Sequence, residues 1–266
     1  NNPMDFDGHG THVSGTIGAV TNNALGVAGI NWNSKIMAVR AGFTDSRGYG
    51  LLIDSDIYFA ILYAVDNGAD VVNMSFGAAA SDNLIKSAID YGDSLGCIFV
   101  AAAGNDGSDA AHYPSSYDNV IAVAATDSKD KRAYFSNYGS WVDISAPGVD
   151  ILSTVFNNSY DVYSGTSMAC PHVVGAVGLL ISHFPTLNNN EIKNRLFSKT
   201  DNINLLNPGY EGKLGSGRVN IYNTLYQPDG PDLILSEVSI DDSLPGDNNN
   251  GYPDPGETVN LNILIK

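Results

Sequence analysis

Three segments of this 266-residue chain set nucleophilic, basic and amide side chains beside glycine. In "SGTSMACPH", Ser164 to His172, Ser167 stands at the expected start of a helix whose continuation, "VVGAVGLLI", is apolar or small on every side and reads as buried all round. Pro171, four residues on, lacks the N–H that would bond back to the Ser167 carbonyl. A capping role alone would account for this serine. In "DGHGTHVSGTIGA", His9 and His12 lie three residues apart at a glycine-rich helix start. They read either as a metal pair on one helix face or as a general base, His9, with space for a substrate. No HExxH motif occurs, and His112, His172 and His183 lack flanking ligand patterns. In "AAAGNDG", Asn105 follows directly on a predicted strand. It reads as part of an Asn-Asp-Gly turn, or as a carboxamide that donates to a developing oxyanion alongside the backbone N–H of Ser167.

The elements that position these residues follow from hydrophobic pattern. Lys35 to Ala41, Asp70 to Phe76, Cys97 to Ala103 and Val120 to Thr126 are near-continuous apolar runs, as parallel strands covered on both faces require. Helical patterns alternate with them. "DIYFAILYAVDNG" closes at Gly68, and "SDNLIKSAIDYGDSLG" is expected to start from Ser81 as N-cap, with Leu84, Ile85, Ala88 and Ile89 on its buried face. The alternation predicts an α/β fold with a doubly wound parallel sheet, whose ligand site lies beyond the carboxyl ends of the strands. Near Gln227 the pattern changes. "QPDGPD" reads as a linker, and beyond it "LILSEVSI" and "TVNLNILIK" alternate like half-exposed strands. Residues 1–227 are thus expected to form one domain, and 228–266 a linker and an incomplete β-sandwich-type accessory module.

Composition narrows the partners. Lys and Arg number 13 against 29 Asp and Glu, a formal charge of −16 that repels nucleic acid and anionic membrane surfaces. No basic n-region followed by an apolar stretch is present, and no apolar run of about 18 residues is read, so no membrane span is expected. Cys97 and Cys170 sit in apolar segments and read as buried free thiols.

Taken together, "GHGTHVSGT", "AAAGND" and "SGTSMACPHVVG", with "VNMSFG", "VIAVAATD", "FSNYG" and "DISAPGVDILST", resemble the subtilisin-like serine proteases, the subtilases, over roughly Asp5 to Tyr226. The resemblance implies a serine endopeptidase with Ser167 as nucleophile, His9 as general base and acid, Asn105 as oxyanion donor and His12 as a structural histidine. It makes "SFGAA" and "AAAG" the walls of the main specificity pocket and lays peptide along them by β-augmentation, which assigns Ser75, Phe76, Gly77, Ala102, Ala103 and Gly104 to substrate binding. His112, where subtilisins often carry glycine, falls on the pocket floor, its ring pointing in or away. "TNNALGV" resembles a structural calcium loop, with Asn23 and the carbonyls of Thr21, Leu25 and Val27 as ligands; Asp143 resembles a ligand of a second, weaker cation site.

The family triad also needs an aspartate on a strand well before the HGTH segment. Asp5 and Asp7 lie too near His9 to serve and read as structural. The triad acid, a propeptide, an export signal and one further calcium-ligating acid are therefore expected upstream, in a secreted or cell-surface, monomeric parent acting on polypeptides. A degenerate subtilase used as a binding module and a metal-dependent hydrolase are the competing classes. "PGDNNNGYPDPGETV", Pro245 to Val259, reads as an Asp/Asn-rich loop of the accessory module, a turn cluster or a cation site.

Overall fold

Val, Ile and Ala runs covered on both faces build the centre of the protein. The computed structural model describes residues 3–45, 50–226, 235–241 and 260–265. In chain order it contains α1 (His9–Gly18), β1 (Gly42–Thr44), β2 (Gly50–Leu52), α2 (Asp54–Asp66), β3 (Val71–Met74), α3 (Asn83–Ser94), β4 (Ile98–Ala102), β5 (Val120–Thr126) and β6 (Ile144–Pro147). These are followed by β7 (Ile151–Val155), β8 (Ser159–Tyr163), α4 (Thr166–His183), α5 (Asn189–Ser198), a 3-10 turn (Asn204–Leu206), α6 (Ile221–Tyr226), β9 (Leu235–Asp241) and β10 (Asn260–Ile265). Strands β3, β4, β5 and β6 form a parallel sheet in that order. Alternate residues of β4 feed two cores. Ile98, Val100 and Ala102 pack with Ala169, Val173, Val177 and Leu180 of α4, while Phe99 and Ala101 pack with Ile57, Ile61, Ile85 and Ile89 of α2 and α3. Helices on both faces make the sheet doubly wound, as the βαβ alternation predicts.

Helix α4 has the length and composition of a membrane span, against the expectation that no such run exists. It is the core helix, with eleven of its eighteen residues buried. The α3 cap also differs from expectation. Asp82, rather than Ser81, is the N-cap, its carboxylate accepting from Ile85 N–H at 2.8 Å. Ile85, Ala88 and Ile89 are buried, but Leu84 is 41% exposed because it falls off the buried stripe.

The run Lys35 to Ala41 forms no strand. Its Ile36, Met37 and Val39 are 42%, 41% and 37% exposed, and they border a groove of about 1830 Å³ whose other wall includes Asp70 to Phe76. A ladder needs a neighbour within hydrogen-bonding reach. Here the groove separates the run from β3, which among the described residues pairs only with β4 and so leaves its other edge open.

The chain divides into two compact units, residues 1–227 and 228–266. Within the second, β9 and β10 pair antiparallel. The "QPDGPD" linker and the loop of Asp247, Asn249, Asp254 and Glu257 lie outside the described residues.

Candidate active site

Parallel strands deliver their loops to one edge, and the residues singled out by type gather there. Ser75 to Gly77 follow β3, Ala103 to Asn105 follow β4, and α4 begins with Thr166 and Ser167. The carbonyl of Ser167 loses its helical donor at Pro171 and accepts instead from Ser75 Oγ at 2.8 Å. Ser167 Oγ in turn donates to the Ser75 carbonyl at 3.1 Å. The proline therefore frees an acceptor that locks the nucleophile candidate to the segment after β3.

Asn105 is held by its carbonyl end. Its Oδ1 accepts from Thr166 N–H at 2.8 Å and from Thr166 Oγ1 at 2.9 Å, which leaves the NH2 group for other use. A β-carbon placed on Gly165 would lie 3.7 Å from both Asn105 Nδ2 and Ser167 N, so the two donors border one small space. The N–H of Ser167 belongs to the first turn of α4, where helical partners are absent and the helix dipole favours negative charge. A carboxamide and a first-turn N–H aimed together can stabilise an oxyanion.

Two residues escape motif reading but organise this corner. Thr166 Oγ1, besides donating to Asn105, accepts from Gly104 N–H at 3.1 Å. Asn137 accepts from Asp106 N–H at 2.9 Å and Ser108 N–H at 3.1 Å while donating to the Ala103 carbonyl at 2.9 Å. The only sequence signal is position: Thr166 precedes Ser167, and Asn137 lies in "FSNYG".

His9 opens α1 and borders the large groove together with Ser75 and Phe76. Burial lowers its pKa, only partly countered by the Asp7 and Asp5 charges, while His12 lowers it further. No hydrogen bond is made by its ring among the described residues. Asp5 does not orient it. The Asp5 carboxylate accepts from the N–H groups of Asp7, Gly8 and Thr11 and from Thr11 Oγ1, capping α1. Burial would raise the Asp5 pKa, but the Thr11 hydroxyl and those backbone donors hold it below the usual value. Asp7 accepts from His9 N–H at 3.3 Å.

His12 has a different task. Its Nε2 bonds the Ile151 carbonyl at 2.9 Å and its ring stacks on Tyr163, so it anchors α1 on the β7–β8 hairpin. Committed in this way, it does not form a metal pair with His9, and among the described residues no group of three His, Cys, Asp or Glu could hold an ion. His172 is likewise tied, through Nδ1 to the Met168 carbonyl at 2.8 Å. Cys97 and Cys170 are buried free thiols, pushed up to about 12 by burial.

The segments assigned to substrate play unequal parts. Ser75, Phe76 and Gly77 lie beyond the sheet, with Gly77 exposed. The segment Ala102, Ala103 and Gly104 cannot pair with a peptide as β-augmentation would require. Ala102 is in β4, Ala103 N–H donates to Val123 and its carbonyl accepts from Asn137, and Gly104 gives its N–H to Thr166 and its carbonyl to Asn137 N–H. With its polar groups engaged internally, the segment is a wall. His112 stands between this wall and Gly77, its ring pointing in.

At the calcium-like loop, left-handed Asn22, Ala24 and Gly26 curl residues 21–28 around a recess of about 260 Å³. A β-carbon on Gly26 would collide with the Tyr160 ring, so only glycine fits there. Asn23 Oδ1, already accepting from Leu25 N–H at 3.0 Å, and the carbonyls of Thr21, Leu25 and Val27 are neutral hard oxygens, a donor set that fits a calcium ion but carries no charge of its own. Asp143 fits a cation less well. Its Oδ2 accepts from Ala122 N–H at 2.8 Å, and burial raises its pKa despite that bond.

The profile of the Subtilase family, peptidase S8, matches residues 1–219. The chain belongs to this family. It is 48% identical over 223 residues to the thermophilic serine proteinase of Bacillus sp. strain AK1, covering 84% of this chain and 53% of that protein. With thermitase of Thermoactinomyces vulgaris it shares 41% identity over 223 residues, 84% of this chain and 76% of the relative. It thus spans about half the length of the Bacillus proteinase and three quarters of thermitase. Among solved structures, a protease from Pseudoalteromonas arctica superposes with a TM-score of 0.73 at 34% identity, over 82% of this chain and 70% of that one.

Proposed function

We propose that this chain is the catalytic domain of a serine endopeptidase that cleaves peptide bonds in proteins through an acyl-enzyme. The carrying observation is the pair of N–H donors, Asn105 and Ser167, set around one space by Thr166 at the start of α4. Ser167 Oγ attacks the scissile carbonyl and its proton passes to His9; the two donors take the oxyanion; His9 then protonates the leaving amine, and water repeats the sequence to release the acyl group. Ser167 must leave the Ser75 carbonyl to do this, and His9 must be oriented.

The orienting carboxylate, on this reading, comes from a further extended segment that adds to the open edge of β3. Supporting it, the groove beside that edge is bordered by His9, the Asp5 carboxylate is spent on α1, and Asn73 Oδ1, on the groove wall, is buried without a hydrogen-bond partner. Losing a triad aspartate's function costs about 10⁴ in kcat, so the chain by itself should turn over at about 10⁻⁴ of the completed enzyme. A fluorophosphonate probe tests the class. Labelling at Ser167 that survives brief chelation supports the peptidase, whereas failure to label the completed protein would favour a catalytically silent binding module.

Calcium, when bound by Thr21, Asn23, Leu25 and Val27, would crosslink the loop after α1 and stabilise the folded state. At a hundredfold excess over Kd the gain is about 2.7 kcal/mol, read as a higher Tm in millimolar calcium than in chelator. The −16 charge, and the hazard of a broad endopeptidase inside its own cell, support a secreted or cell-surface protein. Residues 228–266 are assigned to an accessory module dispensable for small-peptide hydrolysis; truncation near Pro228 should change turnover by less than about tenfold.

A further inference from the structure

Gly77 and Gly104 lie on facing walls beyond β3 and β4, and the His112 imidazole fills the slot between them. A β-carbon on Gly77 would stand 2.7 Å from His112 Nδ1 and closer still to Cε1, while one on Gly104 would stand 2.9 Å from Cδ2 and 3.0 Å from Cγ. Opposite edges of one ring therefore touch both walls. The floor beneath is fixed. His112 N–H donates to Ser116 Oγ at 3.0 Å, its carbonyl accepts from Ser115 Oγ at 2.7 Å, and Tyr113 exchanges two 2.8 Å backbone bonds with Ala78, just past Gly77. Nδ1 is enclosed and has no hydrogen-bond partner among the described residues. Burial also holds the ring pKa down against the Asp106 charge, keeping the imidazole neutral near neutral pH.

Resting on the peptidase reading above, we propose that His112 closes this pocket and makes the protein select substrates with a small side chain, Gly, Ala or Ser, immediately before the scissile bond. A large P1 side chain has to enter the slot that the ring already occupies. Displacing the ring breaks its packing against two glycines. A small side chain stops short of it.

Equilibrium binding decides this without turnover. Succinyl-Ala-Ala-Pro-Ala and succinyl-Ala-Ala-Pro-Phe, the acids left by cleavage after each type of residue, are titrated into the full chain by calorimetry. The Ala-ended peptide is expected to bind at least tenfold tighter. His112→Gly should reverse the order, and His112→Ser, which retains a β-carbon, should move the ratio the same way. Equal or tighter binding of the Phe-ended peptide to the unsubstituted chain, or a ratio unmoved by both variants, overturns the inference. Fluorophosphonate labelling of the protein completed with its orienting carboxylate separates the failures: labelling of Ser167 with the wrong size preference overturns only the pocket closure, whereas neither labelling of the completed protein nor peptide binding overturns the peptidase reading as well.

Discussion

Thr166 uses one hydroxyl twice, donating to Asn105 and accepting from Gly104, so the donor that would meet an oxyanion inherits its direction from a residue that touches no substrate. Removing an oxyanion donor outright costs about 10²–10³ in kcat, a magnitude measured on subtilisin. Thr166→Val, which loosens Asn105 without deleting it, should cost about tenfold or more in kcat with KM little changed, and Thr166→Ser should restore most of it. His9 carries its own signature. Only the neutral ring accepts a proton, and burial lowers its pKa from the ordinary 6.5. The base form therefore persists to lower pH, and the acid limb of Ser167 labelling by a fluorophosphonate should have its midpoint below pH 6.5 in this chain. Docking a segment that sets a carboxylate against His9 should move that midpoint upward. A midpoint at or above 6.5 in the chain alone would show a carboxylate already engaged.

At the scale of elements, glycines set how closely α1 and α4 approach their neighbours. A β-carbon on Gly15 of α1 would collide with Thr154 Oγ1 of β7 and stand 2.5 Å from Ser153 Oγ, whose hydroxyl donates to the His12 carbonyl at 2.7 Å. Gly15→Ala gains helix propensity but pushes α1 off the hairpin, and with it the helix that begins at His9. Urea unfolding should show a net loss of about 1–3 kcal/mol, with lower Ser167 labelling under native conditions. Gly175 plays the same part between α4 and Ile30. The Ser75–Ser167 exchange is of another kind, a helix defect at Pro171 repaired by a strand-end hydroxyl, which ties the nucleophile's helix to the sheet edge where peptide would lie.

Across the whole molecule, four of the five histidines shift in the same direction. Burial lowers the pKa of His9, His12, His112 and His172, so in the folded state each binds a proton less readily than in the unfolded chain. The sign follows: between the unfolded value near 6.5 and the lower folded values the unfolded state holds more protons, and stability falls as pH falls through that window. At constant ionic strength, Tm should drop between pH 7.5 and 5.5, above the range of ordinary carboxylates. His172 shares in the drop because burial lowers its pKa against the opposing bond to the Met168 carbonyl, so His172→Gln should flatten the slope even if it lowers Tm overall.

Residue type and local order raised the chemistry without deciding it. Ser167 above Pro171 reads equally as a cap, Asn105 after an apolar strand as a turn and His9 among glycines as half of a metal pair, so only the resemblance carried by all the motifs together chose among the readings. The βαβ alternation was legible by itself because strand and helix periods differ. Tertiary structure decided what depends on neighbours distant in sequence. Lys35 to Ala41 has a strand's composition but no ladder, since pairing is a property of two segments. That Ala103 and Gly104 serve as wall without also pairing with a peptide follows only because Asn137 and Thr166, far along the chain, take their polar groups. Whether the His112 ring points into the slot or away was equally unreadable from "AHYPSSY", because the answer lies in two glycines on other loops that leave it exactly one ring's width.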